Sequence, residues 1–297
     1  MSGFKVVGIG GGHGLAATLR AARLYADDIS AVVTVADDGG SSGRLTRELG
    51  VPPPGDIRNC MVALADDALL ARLYQHRFRE GALTGHTVGN LLIAALTDMT
   101  GDFAVAVEEA GRLLEIKGRV LPATTRLVRL GAHVQGGTVT GQVAVAQSSR
   151  PIHEAYLDPP DPPAHPGAVE AILAADQIVL GPGSLFTSLI ATLLVPQIRD
   201  ALIEAPASKV FVCNNRIQKG ETEGFTASAH VAALASHTNS ARLDAIVVQS
   251  PILEPDGVLN DLGGSLDGGA RVVEADVSDR IGGHDAAKLA RVLQSLR

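Results

Sequence analysis

Two adjacent carboxylates, Asp37 and Asp38, end an apolar, β-rich run over residues 29–35 and open onto Gly39, Gly40, Ser41, Ser42 and Gly43. Carboxylates at a strand end, beside small residues and hydroxyls, can bind a ribose or hold a divalent cation such as Mg²⁺ through oxygen. A second chemical stretch is the glycine turn at residues 10–14. A strand that passes through glycines into a helix offers backbone N–H groups and a positive dipole end to an anion, so Gly11, Gly12, His13 and Gly14 are candidate phosphate contacts. The same logic selects Gly183, Ser184 and Thr187, where Gly181-Pro182-Gly183-Ser184 runs directly into an apolar helical segment. Two polar loops complete the set. His86 and Asn90 lie where residues 85–90 enter a helix, and Asn214 and Gln218 carry amides able both to donate and to accept, as reading a sugar or a base requires.

These residues need elements to hold them. Residues 4–9 and 29–35 read as strands around a helix whose apolar side is Leu15, Leu19, Ala22 and Leu24, an opening βαβ unit. Residues 39–43 read as an exposed loop. Helical patterns follow at 59–66 and 103–116, then β-like runs at 127–134 and 138–146 joined as a hairpin across Gln135, Gly136 and Gly137. Five prolines within 156–167 predict a rigid connection. The α/β alternation then returns, with strands at 177–180, 209–213 and 245–249 and helices at 168–175, 185–194, 227–235 and 286–296. The expected fold is α/β: a Rossmann-like three-layer fold with a mostly parallel central sheet. One domain over 1–297 is expected, with the hairpin and Pro-rich insertion at about 120–166. In open sheets of this kind the ligand crevice lies outside the carboxyl ends of the strands, where all five stretches fall.

Composition narrows the function. Hydrophobic residues make up 46% and aromatics only 3%, so the core is built from Ala, Val, Leu and Ile, as suits a parallel sheet covered by helices. A net charge of −7 argues against broad binding to nucleic acid or anionic membrane. Cys60 and Cys213 are too few for a disulfide framework or a zinc site. No hydrophobic signal core and no bilayer-length apolar run stand in the sequence, which predicts a cytoplasmic protein without membrane insertion. The P-loop and nucleophile-elbow patterns are absent. Gly12, Gly14 and Ala17 match a loose G-x-G-x-x-A with Asp37 at the next strand end, which keeps an NAD site as an alternative. Asp56 and Arg58 read equally as a helix cap with its ion pair and as functional groups.

The stretches GIGGGHGL, VTVADDGGSSGRL, PPGDIRN, GHTVGNL, GPGSLFTSLIATLL and KVFVCNNRIQKGET, in this order, resemble the gluconeogenesis factor family (YvcK type), within the 2-phospho-L-lactate transferase (CofD-like) superfamily. The resemblance implies a cytoplasmic protein that binds a nucleotide sugar of the UDP-N-acetylglucosamine kind and serves cell shape and wall synthesis on gluconeogenic carbon sources. The leading expectation is a binding protein that acts as a regulator, with no residue assigned to catalysis, and an Ala-rich fold of this type often self-associates into a homo-oligomer. The resemblance carries Gly11 to Gly14, Gly183, Ser184 and Thr187 to the phosphates. Asp37, Asp38, Ser41, His86 and Asn90 fall in the same crevice, and Asn214 and Gln218 at the sugar or base. The transferase relatives imply an alternative, a phosphate-linked group moved from a nucleotide diphosphate donor with Asp37 or Asp38 on Mg²⁺. Here the Asp pair is followed by GGSSGRL, the gluconeogenesis-factor pattern, and His13 stands where such loops commonly carry Thr.

Overall fold

The computed structural model describes residues 3–264 and 269–297. In chain order, β1 (Lys5–Gly10), α1 (Gly12–Ala22) and β2 (Asp28–Val33) form the opening unit. Helices α2 (Gly40–Leu49), α3 (Gly55–Leu64), α4 (Ala68–Gln75) and α5 (Val88–Thr100) follow. Then come α6 (Phe103–Leu113), β3 (Arg119–Pro122), β4 (Arg129–Val134), β5 (Gly137–Thr140), α7 (Gln142–Ala146), β6 (Ile152–Asp158) and α8 (Pro166–Leu173). After β7 (Gln177–Leu180) a π-helical stretch, Leu185–Ile190, continues into α9 (Ala191–Leu193). The chain closes with α10 (Pro196–Glu204), β8 (Ser208–Val212), α11 (Ala227–His237), β9 (Ala245–Gln249), β10 (Arg271–Ala275) and α12 (Ala286–Gln294).

The main sheet has seven strands in the order β10-β9-β8-β7-β1-β2-β3, and every neighbouring pair is parallel. Its two faces feed two cores, and the period-2 alternation of the strands decides which residue joins which. Val7, Ile9, Val32, Ile178, Leu180, Phe211 and Ile246 enter one cluster. Val6, Ala31, Val33, Val179, Val210, Val212 and Val247 enter the other. Strands buried on both faces must be apolar at successive positions, which is why their sequences read as unbroken Val, Ile and Ala. A small antiparallel sheet, β5-β4-β6, packs its Leu130, Ala132, Ala155 and Leu157 into the first cluster. Among the described residues no single helix is long and apolar enough to cross a membrane.

Four local expectations are corrected. Residues 39–43 are not a loop: α2 starts at Gly40, with Gly43 N–H donating to Gly39 O at 2.8 Å. A Cβ at Gly43 would collide with the Asp38 carbonyl, so the glycines that suggest a loop are what let this helix start so close to the strand. The hairpin's second strand ends at Thr140 because Gly141, at φ +105°, turns the chain into α7. The Pro-rich connection begins after β6, which takes residues 152–158 as a third strand paired to β4. Asp56 does not cap its helix: α3 starts at Gly55 behind Pro54, with Asp56 inside the first turn and its carboxylate turned to another loop.

Candidate functional site

β1 and β7 are neighbours in the sheet, yet the chain leaves β1 toward β2 and β7 toward β8. The turns after these two strands therefore diverge around a crevice, the position where open α/β sheets take ligands. Here the two turns touch backbone to backbone. A Cβ on Gly14 would run into the Pro182 carbonyl and the Gly183 Cα, so only glycine fits. α1 begins at Gly12 with a cap residue, Gly11, that has no side chain to offer its amides. The group that meets this helix end is Asp56, whose carboxylate accepts the Gly12 N–H and crowds the Cα of Gly11.

Asp56 is pushed up to about 7, first by burial and then by the neighbouring charge of Asp37, against the Gly12 amide and Arg58. Asp37 is raised as well, by burial above all, while the Gly39 N–H (2.9 Å), the Ser42 hydroxyl and Arg58 hold it down. Asp37 thus faces Asp56 as well as its neighbour Asp38, whose charge also raises it. Asp38 is exposed and its Oδ1 accepts the Val143 N–H at 3.0 Å, at the start of α7 in the small-sheet region. Among the described residues no group of three or more His, Cys, Asp or Glu is arranged to hold a metal.

Next to the carboxylates lies a buried polar network. Arg58 donates to Thr87 Oγ1 (2.6 Å), Asn90 Oδ1 (2.9 Å) and Asn59 Oδ1 (2.7 Å). Asn90 Nδ2 donates to Ser41 Oγ at 3.1 Å, and Ser41 Oγ sits 3.1 Å from His86 Nδ1. Burial, with Arg44 and Arg77 nearby, lowers the His86 pKa, so the ring is neutral at pH 7. The guanidinium itself falls to about 10, chiefly through burial.

The β7 turn is organised differently. Glu221 Oε2 accepts the N–H groups of Phe186 (3.0 Å) and Thr187 (3.1 Å), and its Oε1 accepts the Thr187 hydroxyl (2.7 Å). Gln218 Oε1 accepts from Leu185 N–H, and Asn214 Oδ1 from Gly183 N–H. Gln218 Nε2 donates to Ser184 Oγ. The loop after β8 thereby collars the start of the π-helical stretch, and a carboxylate of the chain itself occupies its anion position. A cavity of about 490 Å³ opens beside both turns, walled by His13, Gly14, Gly183, Asn214, Gln218 and the facing segment around His284. A second, of about 620 Å³, lies between α2 and the small sheet and includes Asp37 and Asp38.

Comparison with known proteins decides the family. The model of the family described as 2-phospho-L-lactate transferase CofD matches residues 6–284. A gluconeogenesis factor of Bacillus subtilis (strain 168) is 47% identical over 249 residues, 83% of this chain and 78% of that protein. One from Halalkalibacterium halodurans is 47% identical over 247 residues, 82% of this chain and 77% of that protein. This chain belongs to the gluconeogenesis factor group of the CofD family. A crystal structure of a UPF0052 family member from Bacillus halodurans superposes at a TM-score of 0.92, with 39% identity and 99% of each chain covered.

Within this gluconeogenesis factor chain, the candidate residues form one contact path along the carboxyl edge of the sheet. Gly183 abuts Gly14, Ser188 and Asp56 abut Gly11, Asp37 faces Asp56, Ser42 bonds Asp37, and Ser41 joins His86 and Asn90. Asp38 leaves the path. Asn214 and Gln218 reach it, but through amides already bonded to the β7 turn. In the sequence Glu221 reads as one polar loop residue among several. A lone Glu following Gln-Lys-Gly gives no local sign that it caps a helix 34 residues earlier. Asn215, in the polar loop after β8, and His284, which carries no sequence signal of its own, also wall the smaller cavity.

Proposed function

We propose that this protein binds a nucleotide sugar of the UDP-N-acetylglucosamine kind in the crevice between the β1 and β7 turns, and acts as a regulator of cell shape and wall synthesis on gluconeogenic carbon sources. One observation carries the reading. Two glycine turns meet backbone to backbone at the switch point of the sheet, at the mouth of a cavity of about 490 Å³. Pockets of this size suit small-molecule ligands, and amides at a helix start suit a diphosphate. Gly11, Gly12 and Gly14 would take the phosphates, with Gly183 and Ser184 across the crevice, the Gly12 and Gly183 amides exchanging their bonds to Asp56 and Asn214 for the ligand. Isothermal titration of the full chain with UDP-N-acetylglucosamine tests it. Saturable heat is the expected result. No heat at millimolar ligand, with folded protein confirmed by circular dichroism, overturns it.

A second reading has a specific observation behind it: the family model that spans residues 6–284 is that of a transferase. Under it Asp37 and Asp56, the carboxylates that lie together, would do what was expected of Asp37 and Asp38. Asp37→Asn would then abolish any turnover of a nucleotide diphosphate donor while leaving its binding within a few-fold.

A further inference from the structure

The cavity of about 620 Å³ between α2 and the small sheet has no part in the nucleotide reading, and it shares no wall residue with the cavity beside the β1 and β7 turns. Its walls come from two directions. Gly43, Thr46 and Arg47 stand at i, i+3 and i+4 on α2, so one side of that helix lines it. The small sheet supplies the other wall. There β4 sends Leu130, Ala132 and Val134 into the core, so strand alternation turns Arg129 the other way, toward the cavity. The register sets Asp158 of β6 directly opposite Arg129, and it too lines the cavity. Arg47, Arg129 and Asp158 are exposed, and among the described residues none of the three has an ion pair. One exposed arginine is ordinary surface. Two from distant segments of the chain, converging on one cavity beside a carboxylate that neither engages, are not.

The mixture of charges limits what fits. Two guanidiniums facing one cavity suit a phosphate, whose oxygens match their forked donors. Three carboxylates, Asp37, Asp38 and Asp158, share the walls, so a ligand that is anionic throughout would be repelled. Ionised carboxylates only accept hydrogen bonds, and hydroxyl groups satisfy them without adding charge. Pro53, Leu127 and Pro159 complete the lining with apolar surface, which suits the carbon face of a ring. We infer that this cavity binds a sugar phosphate, with Arg47 and Arg129 on the phosphate and Asp158 on hydroxyls, at a site separate from the nucleotide crevice. An amino acid also carries both kinds of group, but it offers a carboxylate in place of the phosphate and an ammonium in place of the hydroxyls, and the test tells the two apart.

The test is isothermal titration of the full chain with glucose 6-phosphate, fructose 6-phosphate, glucose, inorganic phosphate and glutamate. At least one hexose phosphate is expected to bind saturably, roughly tenfold or more tightly than glucose, phosphate or glutamate. Arg47→Ala and Arg129→Ala change exposed side chains outside the nucleotide crevice. Each is expected to weaken that hexose phosphate roughly ten- to a hundredfold, the loss of a charge-assisted bond, while UDP-N-acetylglucosamine titrates as before. No binding of either hexose phosphate at millimolar concentration overturns the proposal. So does tighter binding of glutamate, or hexose phosphate binding that either arginine substitution leaves unchanged. Repeating the titration on protein saturated with UDP-N-acetylglucosamine checks that the sites are separate. Undiminished hexose phosphate binding is expected, and its loss overturns the separation. If the chain binds no UDP-N-acetylglucosamine at all, the nucleotide reading falls and the hexose phosphate titration still decides this one.

Discussion

The β1 and β7 turns look alike in sequence, each a strand, a set of glycines and a helix start, but they are in opposite states. At the β7 turn the chain answers its own amides, with Glu221 on Phe186 and Thr187, Gln218 on Leu185, and Asn214 on Gly183. At the β1 turn the cap residue is a bare glycine, and the carboxyl that reaches in is Asp56, whose pKa burial raises to about 7. A helix start whose amides are already taken by an internal carboxyl group has no donors left for a second anion. One facing a carboxyl that titrates near 7 accepts it more readily as pH falls. The lesson is that glycine spacing locates anion positions, while the charge partner of each turn, supplied from far along the chain, decides which is open.

The largest expected effect comes from removing the partner of the closed turn. Glu221→Ala would leave two buried amides and the Thr187 hydroxyl without an acceptor, lowering the unfolding free energy by about 2–4 kcal/mol in urea titration. Glu221→Gln keeps one carbonyl oxygen and should lose less than half of that. If inorganic phosphate at millimolar concentration restores Glu221→Ala and leaves the unmodified chain unmoved, Glu221 is filling an anion position. If phosphate stabilises both equally, the contrast between the turns is wrong.

The open turn is probed through pH. Asp56 titrates near 7 in the fold against 3.8 for an ordinary aspartate, so the folded state prefers the protonated form. Its contribution is fully favourable below about pH 4 and is lost as pH rises toward 7 and past it. Asp56→Asn mimics the protonated group. The variant should therefore match the unmodified chain near pH 4 and exceed it at pH 8 by on the order of 3 kcal/mol. Unfolding free energies measured across pH 4–8 check this. An advantage that grows toward acid would show that the Gly12 amide and Arg58, not burial, govern the carboxyl.

Much of this arrangement was legible before the structure, and the reason is physical. A parallel sheet covered on both faces forces continuous apolar runs, so β1, β2, β7, β8 and β9 announce themselves, and their carboxyl ends locate the site. Short edge strands carry less signal: β3 and β10 have exposed or half-exposed positions among their apolar ones and blur into connections. The start of α2 reads as a loop in the sequence because Gly39, Gly40 and Gly43 serve a tight helix start. The partner relations, Glu221 to the β7 turn and Asp56 to the β1 turn, span 34 and 44 residues or more and leave no local pattern.

Asp38 gives the smallest effect and the sharpest check on where the site ends. Sequence adjacency groups it with Asp37, yet its carboxylate accepts the Val143 N–H and lies against Gly141, outside the path that joins the two turns. Its work is that of a helix cap reaching across from β2 to the small sheet, where such bonds contribute about 1 kcal/mol. Asp38→Asn retains an acceptor oxygen and should cost less than that. Asp38→Ala should cost about 1 kcal/mol in urea unfolding, and both should bind UDP-N-acetylglucosamine as the unmodified chain does. Asp37→Asn removes a charge that faces Asp56 and Arg58, and should instead move the titration of Asp56 downward, narrowing the pH dependence described above. If Asp38→Ala weakens the nucleotide sugar as much as Asp37→Asn does, the two carboxylates act together and the boundary drawn here between the crevice and the small sheet disappears.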